Sequence, residues 1–365
     1  MTSRNRSRFS VRGVSRVAWP VVVLALAGCQ PSIGRLVTVG GEPGDADLPL
    51  PNPELRGKVE IDGSSTVYPI SEAISSAFNR RYPGVNVVLG ASGTGGGFNR
   101  FSQGEIDVSD ASRPIKRDEF ERCRAAGVTF LELPIAYDGL TLVVHPDNAF
   151  IDHLTLDELG QIFRADEAAK LWSEVREGWP EERILLFAPG TDSGTFDYFV
   201  EVVAGDDGTL RSDMSTSEDD NVLVTGISGS PTAIGFFGVA YFEENRDKLK
   251  AVPVVNPRTG RAVLPTSEAI EKGDYAPFSR PLFIYVNDRS VGRPEVKRFI
   301  RFYLENAGEM ARSTGYVPLP PEIYEEARDR VQGRKTGTHY LTSALEPRSG
   351  PVTRIYRDEN RTDSR

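Results

Sequence analysis

Two periods of apolar spacing run through this chain and take turns. Val59 and Ile61 alternate with charged neighbours as a short strand does. Ile70, Ala73, Ile74, Ala77 and Phe78 then recur at helical spacing. "YPGVNVVLG" ends that helix and opens a second strand. "GGGFNRFSQGE" predicts a short helix with Phe98 and Phe101 on one face, and "IDVSDASRPI" reads as strand into loop. "TFLELPIAYDGLTLVVHP" reads as two strands broken near Asp138. Further on, "LTLDELGQIFR" carries the signature of a capped amphipathic helix, and "RILLFAP" that of a buried strand. "SGTFDYFVEVVAG" places Phe196, Phe199, Val200 and Val203 on one helix face. "RPLFIYVN" predicts another strand and "RPEVKRFIRFYLENAG" a helix. Repeated alternation of this kind predicts α/β architecture with ligands at the C-terminal strand ends. The stretch after about Leu341 is polar and predicts a mobile or loosely docked tail.

The N-terminus breaks the pattern. Arg4, Arg6, Arg8, Arg12 and Arg16 precede the apolar run "VAWPVVVLALA", which is too short to span a bilayer comfortably and holds Pro20. The run ends in "LAGC", a pattern similar to a bacterial lipoprotein lipobox, with cleavage expected before Cys29 and lipid on its thiol. Residues 29–56 are rich in Pro and Gly and read as a tether.

Charge narrows the choice of partner. The 365-residue chain has a net charge of −9, and loss of the five leader arginines moves it to about −14. So acidic a body disfavours nucleic acid, although local dipoles can still hold a small anion. If Cys29 is lipidated, Cys123 has no partner, and it is expected as a helix or core residue without a disulfide.

Candidate chemistry lies in three loops that each open a helix. "DGSSTVYPI" carries Ser64, Ser65 and Thr66; "ASGTGGGF" carries Ser92, Gly93 and Thr94; "PGTDSGTF" carries Asp192, Ser193, Gly194 and Thr195. Each offers free backbone N–H groups, hydroxyls and the positive end of a helix dipole. "SDASRPI" adds Asp110, Ser112 and Arg113. One such loop is most simply a helix cap; three in one chain point to oxyanion binding. No lysine follows the glycines as a nucleotide P-loop requires, and a dinucleotide fingerprint begun at Gly93 would need glycine at Phe98. No GxSxG elbow occurs, and His145, His153 and His339 fall in no metal or triad spacing. Neither a cofactor nor a metal is expected.

Taken in order, "IDGSSTVYPISEAI", "GASGTGGGFNRF", "IDVSDASRPI", "LTLDELGQIF", "PGTDSGTFDYF", "SPTAIGFFGVAYF", "SRPLFIYVN" and "GYVPLP" resemble the phosphate-binding proteins of bacterial ABC transporters. That is the PstS family, and particularly its SphX-like branch, over about residues 58–331. The resemblance implies a two-lobed α/β, periplasmic-binding-protein-like (type II) fold with mixed sheets and a ligand cleft at the hinge. Residues 57–138 with 278–335 would form one lobe, 139–277 the other, and 336–365 a polar tail. It implies an exported, lipid-anchored monomer that closes on dehydrated inorganic phosphate and delivers it to a permease, without catalysis.

Carried over by motif, Ser64, Ser65, Thr66, Ser92 and Gly93 would serve the anion from one lobe, and Ser193, Gly194 and Thr195 from the other. This chain departs from well-known members in its charges: Arg113 stands where they have aspartate, and Pro189 where they have arginine. The cation is therefore expected at Arg113, beside Ser112. Asp138 and Asp110 are the candidate acceptors of a phosphate proton, with Asp192 a third. Rival readings are another tetrahedral oxyanion (sulfate, arsenate or molybdate), a secreted phosphatase using Ser65 or Ser193, or a surface sensor without transport.

Overall fold

The structure, a computed structural model, describes residues 54–364 apart from 192, 206, 207 and 218. The leader, Cys29, most of the expected tether and Asp192 lie outside the described residues. Strand β1 (Gly57–Gly63) leads into helix α1 (Tyr68–Arg81), β2 (Val85–Leu89) into α2 (Gly93–Ser102), and β3 (Val108–Ala111) into α3 (Arg117–Ala125). The long strand β4 (Phe130–Val144) follows. Next come α4 (Leu156–Phe163), α5 (Trp172–Val175), β5 (Leu185–Pro189), α6 (Gly194–Val203), β6 (Ser215–Ser217), α7 (Asp220–Ser228), β7 (Ala233–Gly238) and α8 (Val239–Glu244). Two-residue strands β8 (Lys250–Ala251), β9 (Val254–Val255) and β10 (Ala262–Val263) precede α9 (Ser267–Lys272) and β11 (Ser279–Asn287). Helices α10 (Asp288–Val291), α11 (Pro294–Ser313), α12 (Pro321–Gly333) and α13 (Val352–Ile355) complete the chain.

Local sequence explains the main elements. Ile70, Ile74 and Phe78 form the buried stripe of α1, and Phe78 meets Phe299 of α11 edge-on. Thr155 caps α4 by accepting from the Glu158 amide, while Glu158 accepts from the Thr155 amide. Gly273, left-handed at φ +70°, ends α9.

The strands run in the order β2-β1-β3-β11-β4-β7-β5-β6, with β8 also pairing β4. β1, β2 and β3 are parallel, as are β5, β6 and β7, while β11 and β4 are antiparallel to their neighbours. β4 is one fully buried strand of 15 residues rather than the two that were expected. The break anticipated near Asp138 is a change of partner: β11 pairs β4 as far as Gly139, and β7 takes over at Leu140. Glycine fits this crossing because a Cβ at Gly139 would lie 2.7 Å from Ile270 and 3.0 Å from Val239.

Pro134 marks a second irregularity. It has no N–H for the ladder, and the register shifts there: Phe283 faces Pro134 while Leu282 faces Ala136. Ile135 is the extra residue, and its carbonyl accepts from the Tyr324 hydroxyl at 2.8 Å.

The polar C-terminal segment is packed, against expectation. His339, Tyr340, Leu341, Val352, Ile355 and Tyr356 are buried, and Thr338 bridges to Thr362. The reason is a buried carboxylate on β4. Glu132 accepts from Tyr285 Oη, Thr338 Oγ1 and the His339 amide, and its Oε1 lies 2.9 Å from His339 Nδ1. Tyr356 Oη donates to the Glu132 carbonyl at 2.9 Å, and the Arg330 guanidinium lies over the Tyr356 ring. Such a carboxylate is stable only while its donors stay in place. Tyr356→Phe, which leaves the Glu132 carbonyl without its donor, should lower stability by about 1–2 kcal/mol, and removing residues 337–365, which takes Thr338 and His339 from the carboxylate, should leave little folded protein. Thermal unfolding checks both, and unchanged melting of the two variants would return the segment to a loose tail.

Candidate functional site

The loops that open α1 and α6 meet where the strand groups join. Gly194 makes this meeting possible: a Cβ there would stand 2.6 Å from Thr66 Cα. Ser193 Oγ accepts from the Thr195 amide at 3.2 Å, capping α6. Across from it, Ser65 Oγ donates to Asp197 Oδ2 at 3.1 Å, and the Thr66 carbonyl accepts from Tyr316 Oη at 2.6 Å. Ser65, Asp138, Ser193, Gly194 and Thr195 line one cavity of about 640 Å³, with Tyr68, Tyr241 and Tyr316 on its walls.

The cation at this junction is Arg280. It lies directly opposite Asp138 in the β11–β4 register and donates from Nε to Asp138 Oδ2 at 3.2 Å. Nη2 donates to Thr66 Oγ1 at 3.2 Å and Nη1 to Glu201 Oε2 at 2.9 Å. The guanidinium also lies 3.6 Å from the centre of the Tyr198 ring, whose hydroxyl donates to the Pro277 carbonyl. Burial pushes the Asp138 carboxyl above the usual carboxylate range, Arg280 pulls it back, and the Glu201 charge adds to the rise.

Arg113, Ser112, Ser92 and Thr94 have partners outside this cluster, while Ser64 and Asp110 adjoin it through the Ser65 loop. Arg113 forks onto the buried Glu119, with Nη1 at 2.9 Å and Nη2 at 2.8 Å from its two oxygens. A bidentate pair with a buried carboxylate holds the Arg113 guanidinium fast. The Ser92 amide donates to Asp62 Oδ1 at 2.9 Å, and Arg100 pairs with Asp62 Oδ2. Burial would raise the Asp62 carboxyl, but bonds from Ser92, Arg100 and Gly63 hold it below its ordinary range. Ser112 and Thr94 join hydroxyls at 3.1 Å, and the Ser64 amide donates to the Asp110 carbonyl at 2.9 Å.

The glycine-rich turn is divided between two tasks. A Cβ at Gly97 would stand 2.6 Å from Gly63 Cα and 2.7 Å from Ser109 Oγ, so α2 packs on β1 through bare backbone. Gly93 has φ +79° with open space around it.

Sequence reasoning missed Arg280, Tyr198, Asp197, Glu201 and Tyr316. A signal for the first was present: an arginine in "SRPLFIYVN", at the entry to a strand otherwise apolar up to its asparagine. Among the described residues no cluster of three or more His, Cys, Asp and Glu forms a metal site. His153 pairs with Asp152, His145 lies by Asp147, and His339 is bound to Glu132, so each histidine is engaged away from Ser65 and Ser193.

Two groups of strands sharing the through-strand β4, with a polar cleft at the join, define a two-lobed hinge-type binding protein. Residues 51–307 match the model of a PBP superfamily domain. The chain is 47% identical to protein SphX of Synechococcus elongatus over 80% of its own length and 86% of that protein's. It is 38% identical to the phosphate-binding protein PstS of Staphylococcus saprophyticus, over 82% of this chain and 92% of that one. A crystal structure of a possible phosphate binding protein from Planctomyces limnophilus superposes with a TM-score of 0.74 at 45% identity, covering 76% of this chain and 99% of that one. The chain belongs to the PBP superfamily and, within it, to the family of SphX and PstS.

Asp110 lies just beneath the site. It is fully buried, its two carboxyl oxygens have no hydrogen-bond partner among the described residues, and the nearby Ser71 hydroxyl is engaged with Tyr303. Burial pushes its carboxyl up to about 8 from 3.8. The folded state therefore holds this proton more tightly than the unfolded chain does, and stability falls as pH rises from about 4 toward 8. Asp110→Asn removes the titration, so its gain in melting temperature without added anion should be larger at pH 8 than at pH 5. Thermal scans at both values decide this, and equal gains would refute it.

Proposed function

We propose that this protein captures inorganic phosphate outside the cytoplasmic membrane and hands it unchanged to an ABC permease. The observation that carries the reading is the Arg280–Asp138 pair, buried where β4 changes partner and faced by hydroxyls from both sides. Arg280 supplies a forked cation for two phosphate oxygens. Ser65, Thr66, Ser193, the Thr195 hydroxyl and the amide of Gly194 supply neutral donors, backed by the α6 dipole. Asp138 accepts the proton that monohydrogen phosphate carries and sulfate lacks at neutral pH. The phosphate-binding relatives among the similar proteins support this choice of anion.

Capture follows from geometry rather than bond chemistry. Donors on two lobes satisfy one anion only when the lobes meet, so the ligand favours the closed state by its differential contacts. A histidine base within reach of Ser65 or Ser193 would argue for hydrolysis, and the histidines are engaged elsewhere. Lipid on Cys29, in "LAGC", would keep the protein at the outer side of the membrane beside its permease.

Arg280→Gln should weaken phosphate binding by about 3–5 kcal/mol, since it leaves both the anion and Asp138 without their cation. Arg113→Gln should lower the melting temperature through the stranded Glu119 and change phosphate affinity only a few-fold. Asp138→Asn should weaken phosphate and strengthen sulfate, collapsing the preference between them. Titration calorimetry with both anions at pH 7 to 8 tests all three, and equal binding of sulfate by the unmodified protein would overturn the phosphate assignment.

A further inference from the structure

Helix α6 presents two carboxylates, Asp197 and Glu201, four residues apart and therefore on one face. Both reach groups that the proposed site needs as donors. Ser65 Oγ donates to Asp197 Oδ2 at 3.1 Å, and Arg280 Nη1 donates to Glu201 Oε2 at 2.9 Å. These contacts also join the lobes, because Asp197 and Glu201 lie in the segment 139–277 while Ser65 and Arg280 lie outside it. Protein carboxylates thus stand on the donors that would hold an oxyanion.

Charge decides which of them can stay. A phosphate dianion bound at Arg280 would add two negative charges beside Asp138 and Glu201, with one guanidinium among them. The wider cavity gives little relief, since its walls carry Asp220 and Glu244 against Arg312. Like charges this close repel strongly in a partly dry site. The Asp138 side chain is 2% exposed and faces Arg280 across the β4–β11 register, so it has nowhere to go. Glu201 is 54% exposed, and rotation carries its carboxylate into water.

We propose that Asp197 and Glu201 form a built-in anion substitute. They hold the two lobes together through Ser65 and Arg280, are displaced when phosphate binds, and return as it leaves. Release to the permease is then an exchange of one anion for another, so Arg280 and Ser65 regain an acceptor once the emptied lobes meet again. The substitute weakens phosphate binding because each captured anion must displace it. This inference rests on the phosphate reading above.

The test is stopped-flow and calorimetric phosphate binding by the full mature chain, its Glu201→Gln and Asp197→Asn variants, and the double variant. Both residues are exposed, so folding is expected to survive, and circular dichroism verifies it. Glu201→Gln should bind phosphate about tenfold more tightly, chiefly through slower dissociation, and the double variant more tightly still. Glu244→Gln removes an equal charge from the cavity wall without touching either donor. It should alter only the association rate, and this effect should vanish in high salt. Unchanged or weaker binding by Glu201→Gln, or an equal slowing of dissociation by Glu244→Gln, would overturn the inference. Failure of the unmodified protein to bind phosphate would instead overturn the functional reading beneath it.

Discussion

Everything at the cleft depends on Arg280 standing opposite Asp138. A buried ion pair is stable only where its geometry is held rigidly, and here the register of two strands holds it. That register is not the simple one. If pairing ran on unbroken from Phe283–Pro134, Arg280 would face Tyr137. The extra residue Ile135 moves the ladder on by one and brings Asp138 into place. Because strand side chains alternate faces, a slip of one residue would remove the site altogether. Pro134 makes the bulge favourable by lacking the N–H that a regular ladder would use, and Tyr324 satisfies the carbonyl left unpaired.

Around this pair the chain brings backbones unusually close. α2 meets β1 at Gly97 and Gly63, and the α6 entry meets the α1 entry at Gly194 and Thr66. Such approaches aim amides and hydroxyls inward without long side chains between them. In an acidic chain, with a net charge of −9, such fixed local dipoles are a means of attracting an anion that needs no positive surface.

Much of this was legible in the sequence, and the limits have physical causes. Apolar periods of two and 3.6 marked the strands and helices, since each element buries one face locally. The serine and glycine loops were legible because helix starts announce themselves within a few residues. Arg280 was not, because its partners Asp138 and Thr66 are 142 and 214 residues away in the chain. Arg113 drew attention for a sound local reason, an arginine in a serine-bearing loop, yet Glu119 six residues on claims it. The C-terminal segment looked loose because its buried residues follow neither period. What orders it is Glu132, a carboxylate whose need for donors no local pattern reveals.

Three arginines near these loops show how the fold assigns its charges. Arg100 is held by Asp62, which organises the glycine-rich turn, and Arg113 by Glu119 at the start of α3. Both pairings serve the scaffold, and in each the carboxylate is buried and fixed. Arg100 adds the exposed Glu105, five residues along the chain; Arg280 differs in drawing its two carboxylates from separate elements, one locked in β4 and one at the surface of α6. A cation with only fixed partners cannot accept a ligand, and one with none would make an empty cleft costly to bury. The intermediate arrangement, one permanent counter-charge and one that can swing into water, is what a site needs if it must be stable both filled and empty.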